Sequence, residues 1–237
     1  GNTRFLPLVL LLIGGLTYVG SFKATFIFDD ASAVVKNPRI RHVLPRDRAE
    51  WIAPRGFGDF TFALNYVVSG LNPADYHATN VAIHLIAGLL LYGVVRRTLR
   101  LPPMDARFAS DSDAVAFFIA AIWVVHPLAT SAVTYVSQRY ECLMAVFYLL
   151  TVYSFIRGAT STNARGWYLL AIIAAALGMG SKEVIITAPL VVIIYDRIYL
   201  SASLREAFSR RWRVYAGLVL VCAAVAVLPL LAEGRGP

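Results

Sequence analysis

Apolar and polar positions along this chain fall into long blocks rather than into the short periods of a soluble domain. Seven blocks are almost continuously apolar, and a helix needs about 20 such residues to cross a bilayer. The pattern therefore predicts an all-α integral membrane protein with about seven transmembrane helices. The predicted spans are 5–21, 77–95, 114–131, 141–157, 167–181, 184–200 and 214–232.

Two apolar stretches fit a full span less well. The block 167–181 is short, which leaves a partly re-entrant helix as an alternative to a span. Residues 59–71 are apolar but too short to cross, so we interpret them as an interfacial or re-entrant helix. They lie in the only sizeable polar segment, 22–76. The chain is thus predicted to be a single transmembrane domain, 1–237, with one long first loop that contains short interfacial helices.

The arginines give the predicted spans a direction. If the N-terminus is cytoplasmic, the cytoplasmic segments hold twelve basic residues and the short outer segments hold Arg139, Lys182 and Arg235. This asymmetry agrees with the positive-inside rule. The long loop 22–76 then lies on the extracytoplasmic side, where the rule constrains long loops only weakly.

Composition supports a membrane protein and excludes several other classes. Hydrophobic residues make up 58% of the chain and charged residues 15%, against about 25% charged residues in an average soluble domain. The net charge of +8 is therefore read as a signal of orientation and of anionic lipid, not of nucleic acid, for which no motif is present. Two cysteines exclude a disulfide scaffold, and no zinc-ligand spacing indicates a metal.

Two polar clusters on the predicted outer side carry acidic or imidazole groups. Phe28, Asp29 and Asp30 follow the first span; one carboxylate can serve as a general base and the other can position it, or the pair can cap a helix. His126 precedes Pro127 near the outer end of the third span. It is either a ligand contact or a structural residue at a helix that Pro127 ends or kinks.

Two further clusters on the same side carry cations. Arg139 opposes the helix dipole at the start of the fourth span, so we expect it to have an anionic partner: Glu141, one of the two aspartates, or a ligand phosphate. Lys182, followed by Glu183, lies in the short link between the fifth and sixth spans. It can grip a phosphate or extend to lipid headgroups.

Several motifs in order give the chain a resemblance to a known family. It resembles the transmembrane and tetratricopeptide-repeat O-mannosyltransferases and their bacterial relatives, over 26 to about 200. The motifs are FIFDD at 26–30, VVKNP at 34–38, TFALNY at 61–66, YHATN at 76–80, WVVHP at 123–127, AVTYVSQRYE at 132–141, SKE at 181–183 and YD at 195–196.

The resemblance implies a GT-C-like fold and a transferase that uses a sugar carried on a polyprenyl phosphate. It implies that Asp29 or Asp30 is the catalytic base and that Arg139 and Lys182 hold the donor phosphate, with His126, Glu141 and Glu183 as further substrate-binding candidates. The lipid-linked sugar is a substrate, so no cofactor is expected. Membrane lipid and either a protein acceptor or a larger membrane complex are the expected partners.

Two departures from the family keep a second function open. Ser131 stands where the family pattern has Glu, and the chain ends after the seventh apolar block, without the further spans and tetratricopeptide repeats of the family. The first expectation is a glycosyltransferase core that acts on a protein hydroxyl. The alternative is a non-catalytic subunit of a larger membrane complex. The expected location is the bacterial inner membrane.

Overall fold

A computed structural model describes residues 3–44 and 55–233 of the chain, and every regular element in these ranges is helical. The α-helices, numbered here in chain order, are α1 (Leu6–Tyr18), α2 (Gly56–Ser69), α3 (Pro73–Thr98), α4 (Pro102–Phe108), α5 (Ser112–Val124), α6 (Thr130–Thr134), α7 (Arg139–Thr160), α8 (Ala164–Met179), α9 (Ala188–Tyr199) and α10 (Leu204–Glu233). The predicted all-α class is confirmed for the described residues.

Short helices of other types connect several of these elements. The 3₁₀ segments are Val19–Lys23, Pro38–Arg41, Pro127–Ala129, Val136–Gln138 and Glu183–Thr187, and Ala31–Val35 forms one turn of π-helix. The predicted helix over 59–71 is observed as α2. Residues 45–54 of the predicted first loop lie outside the described residues.

Three helical segments are long and apolar enough to cross a membrane: Leu6–Lys23, Pro73–Thr98 and Val136–Thr160. A fourth arises if α5 and the segment Pro127–Thr134 act together, although they are bent by 50°. The bend falls at the predicted break, because Pro127 cannot continue the hydrogen bonding of α5. These segments cover the first four predicted spans.

The last three predicted spans are not established by helix length and composition. Helix α8 has 16 residues, or about 24 Å at 1.5 Å per residue, which is less than the roughly 30 Å of a hydrocarbon core. Helix α9 is shorter still, at 12 residues, because the predicted span 184–200 begins with a 3₁₀ segment. Helix α10 contains the seventh predicted span, 214–232, and its backbone is non-helical at Arg211, before that span begins; it is not among the segments of the described residues that are long and apolar enough to cross.

Apolar side chains bury the inner faces of α7, α8, α9 and α10 against one another. The largest core includes Phe147, Phe155, Ile156, Ile185 and Leu218. A second, smaller core joins the first loop to the bundle through Val34, Ile40, Phe62, Tyr76 and Val136. The first loop is therefore packed onto the helices by burial of apolar area rather than only tethered at its ends.

Small residues allow three helices to approach closely. A side chain on Gly88 of α3 would meet Val124 at 2.4 Å, and one on Gly14 of α1 would meet the same valine at 2.7 Å. Ala171 and Ala175 of α8 are fully buried. These residues pack within the chain, so they do not form the partner-facing surface that small residues in a span can indicate.

Long-range contacts show which residues lie at each of the two ends of the helix bundle. One end carries residues 24–44 and the segments around Asn80, 133–141 and 181–183; we call it the loop end. The opposite end carries Thr3, Arg96, Arg100, Asp113 and the Asp196–Arg211 pair; we call it the arginine end. The four polar clusters predicted to share one side belong to the loop end or its connecting segments.

Candidate functional site

The side chain of Asp30 is held in place at the loop end by backbone hydrogen bonds. Its side chain is fully buried, and its Oδ1 accepts a hydrogen bond of 2.7 Å from the backbone N–H of Ser137. Its Oδ2 accepts one of 3.1 Å from the N–H of Ile27. Both carboxylate oxygens are thus occupied by backbone donors, and Asp30 ties the first loop to the segment just before Arg139.

Asp29 has the opposite environment. Its side chain is exposed, while its backbone carbonyl accepts hydrogen bonds from the amides of Ser32 and Ala33. The neighbouring Phe28 is 80% exposed and has a φ of 47°, a conformation that is uncommon for a side chain of this size. The sequence predicts a pair of aspartates with divided roles, and the structure gives the two carboxylates different surroundings.

Arg139 lies inside the protein. Its Nε donates to Oδ1 of Asn80 at 2.7 Å, and its two terminal nitrogens donate to the backbone carbonyls of Thr61 and Tyr76, each at 3.1 Å. The guanidinium carbon is 4.3 Å from the ring centre of Phe62. The expectation of an anionic protein partner is wrong for the described residues, since neutral oxygens and aromatic rings take that place.

Asn80 was not singled out by its sequence context, although it determines the geometry around Arg139. Its amide nitrogen lies 3.1 Å from the carbonyl of Tyr135 and 3.3 Å from that of Val136. One fully buried amide therefore holds both the arginine and the segment that leads into α7. The signal was its place in the YHATN motif at the start of α3.

Lys182, in the link between α8 and α9, forms an ion pair with Glu141 in the first turn of α7. Both side chains keep partial contact with solvent, at 23% and 32% exposure. Among the predicted cations of the loop end, Lys182 is therefore accessible and Arg139 is enclosed. Glu183, the next residue, is exposed.

His126 and Ser131 are both exposed in the connection between α5 and α7. The Nδ1 atom of His126 accepts a hydrogen bond of 3.2 Å from the amide of Leu128, which caps the 3₁₀ turn Pro127–Ala129. This contact explains the residue as part of a helix break. A substrate contact for His126 stays a prediction.

Asp59 is a carboxylate of this region that the sequence analysis missed. Its side chain is 13% exposed and accepts a hydrogen bond of 2.7 Å from the hydroxyl of Tyr140. Burial raises the pKa of Asp59 above its ordinary value of 3.8, while the Tyr140 hydrogen bond, Arg39 and Asn37 act against that shift. Its only sequence signal was an acidic residue in the first turn of a helix, which is common.

No group of three or more His, Cys, Asp or Glu side chains within residues 3–44 and 55–233 could hold a metal ion. The polar groups of the loop end are instead a carboxylate in solvent, a partly exposed lysine–glutamate pair and a buried arginine. Such a set can accept a proton and bind an anion.

Residues 60–231 match a family model described as dolichyl-phosphate-mannose-protein mannosyltransferase. This match covers more than half of the chain. The chain belongs to that mannosyltransferase family. The resemblance inferred from the sequence motifs is thereby confirmed.

Curated relatives carry related names. The chain is 29% identical to mouse protein O-mannosyl-transferase TMTC3 and to Drosophila melanogaster protein O-mannosyl-transferase Tmtc2, each over 82% of this chain and 22% of the relative. It is 27% identical to human protein O-mannosyl-transferase TMTC1, over 78% of this chain and 23% of the relative. The chain thus spans less than a quarter of the length of these relatives. No solved structure matches it.

The family and the apolar helices agree in making this a membrane protein. The matched region contains α3 to α9 and therefore Asn80, Arg139, Glu141 and Lys182. Asp29 and Asp30 precede it. The mannosyltransferase match thus includes Arg139 and Lys182 but not the two aspartates.

Proposed function

We propose that this chain is the membrane core of a protein O-mannosyltransferase, which transfers mannose from a polyprenyl phosphate to a protein hydroxyl. The family match and the names of the curated relatives support the sugar and the acceptor class. The proposed arrangement is GT-C-like, with seven spans, a cytoplasmic N-terminus and the loop end on the extracytoplasmic side of a bacterial inner membrane. Arginine asymmetry supports this orientation.

The observation that carries the proposal is the contrast between the two aspartates. Asp29 is exposed and Asp30 is buried with both oxygens bound to backbone amides. Asp29 is therefore the base in this mechanism, because a carboxylate must reach the proton that it removes. Asp30 is a positioning residue that fixes the loop carrying Asp29.

The chemical step is a displacement at the anomeric carbon of the sugar. Asp29 accepts the proton of the acceptor hydroxyl, and the hydroxyl oxygen forms a bond to the anomeric carbon. The bond from that carbon to the phosphate oxygen breaks, and the phosphate leaves with the electron pair. Lys182 stabilises the negative charge that develops on the leaving oxygen.

The other predicted site residues support this step in different ways. Glu141 holds Lys182 when no phosphate is bound, and its ion pair keeps the ammonium at the loop end. Arg139 positions Thr61, Tyr76 and Asn80 from within the protein, since its described contacts leave it fully buried. His126 and Glu183 are exposed and are proposed to line the substrate path.

No specific observation favours the alternative of a non-catalytic subunit. Small residues in a span can indicate a contact surface for another helix. Of the four candidates, Gly88, Ala171 and Ala175 are buried within the chain, and Gly93 is partly buried against Tyr153. We therefore do not pursue it as the proposed function.

The test compares Asp29→Asn and Asp30→Asn in the purified chain. Wild-type protein should transfer mannose from polyprenyl-phosphate mannose to an acceptor protein, or release it to water. Asp29→Asn should lower either rate by about 10²–10⁴ without changing thermal unfolding. Asp30→Asn should lower the unfolding temperature, because an amide offers one acceptor oxygen where two are used.

The matched control is Asp105→Asn, because Asp105 is an exposed aspartate on α4, near the arginine end. It should change neither rate nor stability. A wild-type chain that neither transfers nor releases mannose would contradict the enzyme proposal. An Asp29→Asn variant with the wild-type rate would remove Asp29 from the mechanism.

A further inference from the structure

An apolar groove lies on the side of the bundle toward the arginine end, away from the site proposed above. Its walls include Pro7 of α1, Ile86, Leu89 and Tyr92 of α3, and Tyr153 of α7, and its volume is about 390 Å³. Cavities that hold small organic ligands range from about 300 to 1,000 Å³. The groove is thus large enough for a hydrocarbon chain of moderate length.

Two arginines line one end of this groove. Arg96 and Arg97 occupy the last turn of α3. Arg96 is paired with Asp113, which also binds Arg100 and accepts a hydrogen bond from Thr3. One carboxylate therefore pairs with two arginines and shares its hydrogen-bonding capacity with Thr3 as well.

Arg97 differs from its neighbours. Its guanidinium lies over the ring of Tyr153, 5.2 Å from the ring centre, and in the described part of the chain it makes no ion pair with a carboxylate. Asp113 is ion-paired with Arg96 and Arg100 but not with Arg97, so the charge of Arg97 adds an excess of positive charge at the groove. Such an excess next to an apolar wall favours an anion with a hydrocarbon tail.

The groove lies on segments that are apolar enough to span a membrane, Leu6–Lys23, Pro73–Thr98 and Val136–Thr160. Ile86, on its wall, is 48% exposed, so the groove is open along an apolar surface. Asn80 and Arg97 are 17 positions apart on α3, or about 25 Å along the helix axis. A lipid at Arg97 is therefore distinct from a donor at the loop end.

We propose that this groove binds an anionic phospholipid, with one acyl chain along Ile86 and Leu89 and the phosphate at Arg97. The apolar walls select a lipid over a soluble phosphate, and the unbalanced arginines select a negative headgroup over a zwitterionic one. The bound lipid fills the space between α1, α3 and α7 and stabilises their packing. This inference does not depend on the mannosyltransferase proposal.

The experiment measures lipid retention on the full chain by native mass spectrometry, with unfolding temperature as a second readout. Palmitoyl-oleoyl phosphatidylglycerol is compared with phosphatidylcholine that has the same chains. Wild-type protein should retain phosphatidylglycerol in preference and should unfold at a higher temperature with it. Arg97→Gln should weaken retention about fivefold, the effect of one arginine near a charged lipid.

Three further variants separate a site from general surface charge. Arg97→Lys should keep most of the preference, and Ile86→Trp should reduce retention of both lipids by obstructing the acyl chain. Arg107→Gln is the matched control, because Arg107 is also stacked on a ring, that of Phe108 at 5.1 Å, but does not line the groove. It should behave as wild type.

Equal retention of the two lipids by the wild-type chain would overturn the proposal. So would an Arg107→Gln effect as large as that of Arg97→Gln, since the binding would then reflect diffuse charge. An Arg97→Gln variant that is folded, with the wild-type unfolding temperature in detergent alone, and that prefers phosphatidylglycerol as strongly as the wild type would overturn it too.

Discussion

Arg139 donates a hydrogen bond from its Nε to Oδ1 of Asn80, 2.7 Å away, and neither side chain is exposed to solvent. The two residues lie 59 positions apart, at the starts of α7 and α3. Because Asn80 also binds the carbonyls of Tyr135 and Val136, this contact fixes how the loop end is connected to the bundle.

Substitution of Arg139 should therefore act first on stability. Arg139→Lys keeps the charge, but a single ammonium cannot reach three oxygens in the planar geometry of a guanidinium. We expect a loss of about 3 kcal/mol in the free energy of unfolding, the scale for breaking a buried charged contact. Unfolding in detergent measures it. Arg107→Lys, an exposed control, should have no effect, and equal stabilities of the two variants would contradict the structural role.

Asp59 should make stability depend on pH in acid solution. Because burial raises its pKa above 3.8, the folded chain holds this proton at a pH where the unfolded chain has lost it. The contribution of Asp59 to stability therefore falls as pH rises from about 3.8 through the raised pKa. Above that pH it is constant.

Asp59→Asn removes this titration but keeps an oxygen that can accept from Tyr140. The difference in unfolding temperature between wild type and Asp59→Asn, followed from pH 3.5 to 7, should shift against the wild type as pH rises. A difference that moves the other way would mean that the pKa of Asp59 is lowered by Tyr140 and Arg39.

Substitution of Lys182 should lower the rate of transfer much more than it lowers the stability of the chain. The ion pair of Lys182 with Glu141 is partly exposed, so Lys182→Ala should cost no more than about 1 kcal/mol in unfolding free energy. Its effect on transfer should be larger, about 10²–10³ in rate, if Lys182 stabilises the leaving phosphate.

The charge-reversed double variant Lys182→Glu/Glu141→Lys is the matched control for that prediction. It should recover the ion pair and the stability but not the rate, because the cation is then displaced from the link before α9. Transfer at the wild-type rate by this double variant would show that Lys182 acts only through its pair with Glu141.

The sequence predicted the general position of the polar groups because membrane spans restrict where they can lie. A span that starts near residue 77 and another that starts near 141 begin on the same side, because a single predicted span, 114–131, lies between them. The side of Arg139, Lys182 and Asp30 could be inferred in this way. Apolar blocks also located α1, α3 and α7, the segments most clearly able to cross a membrane.

The partners of these residues could not be predicted from the sequence. The N–H of Ser137 binds a carboxylate 107 positions away, and no local pattern encodes such a contact. Arg139 was expected to need an anion, yet three neutral oxygens and an aromatic face satisfy it. Hydropathy also cannot distinguish a 3₁₀ segment from an α-helix, so the sequence predicts one continuous span over 184–200 where the structure has a 3₁₀ segment and a short helix.

Gly88 offers a direct test of the close packing of α1, α3 and α5. A methyl group at this position would lie 2.4 Å from Cγ2 of Val124, well inside van der Waals contact, so Gly88→Ala should lower the unfolding free energy by about 1–3 kcal/mol through overpacking. Gly15→Ala on α1, where nothing lies within 4 Å, is the matched control and should be neutral.

Val124→Ala removes the colliding methyl groups and leaves a small cavity. The double variant Gly88→Ala/Val124→Ala should consequently be more stable than Gly88→Ala alone, with a coupling free energy of at least about 1 kcal/mol in a double-mutant cycle. Additive effects would mean that α3 and α5 do not approach each other at these two residues, because independent sites show no such coupling.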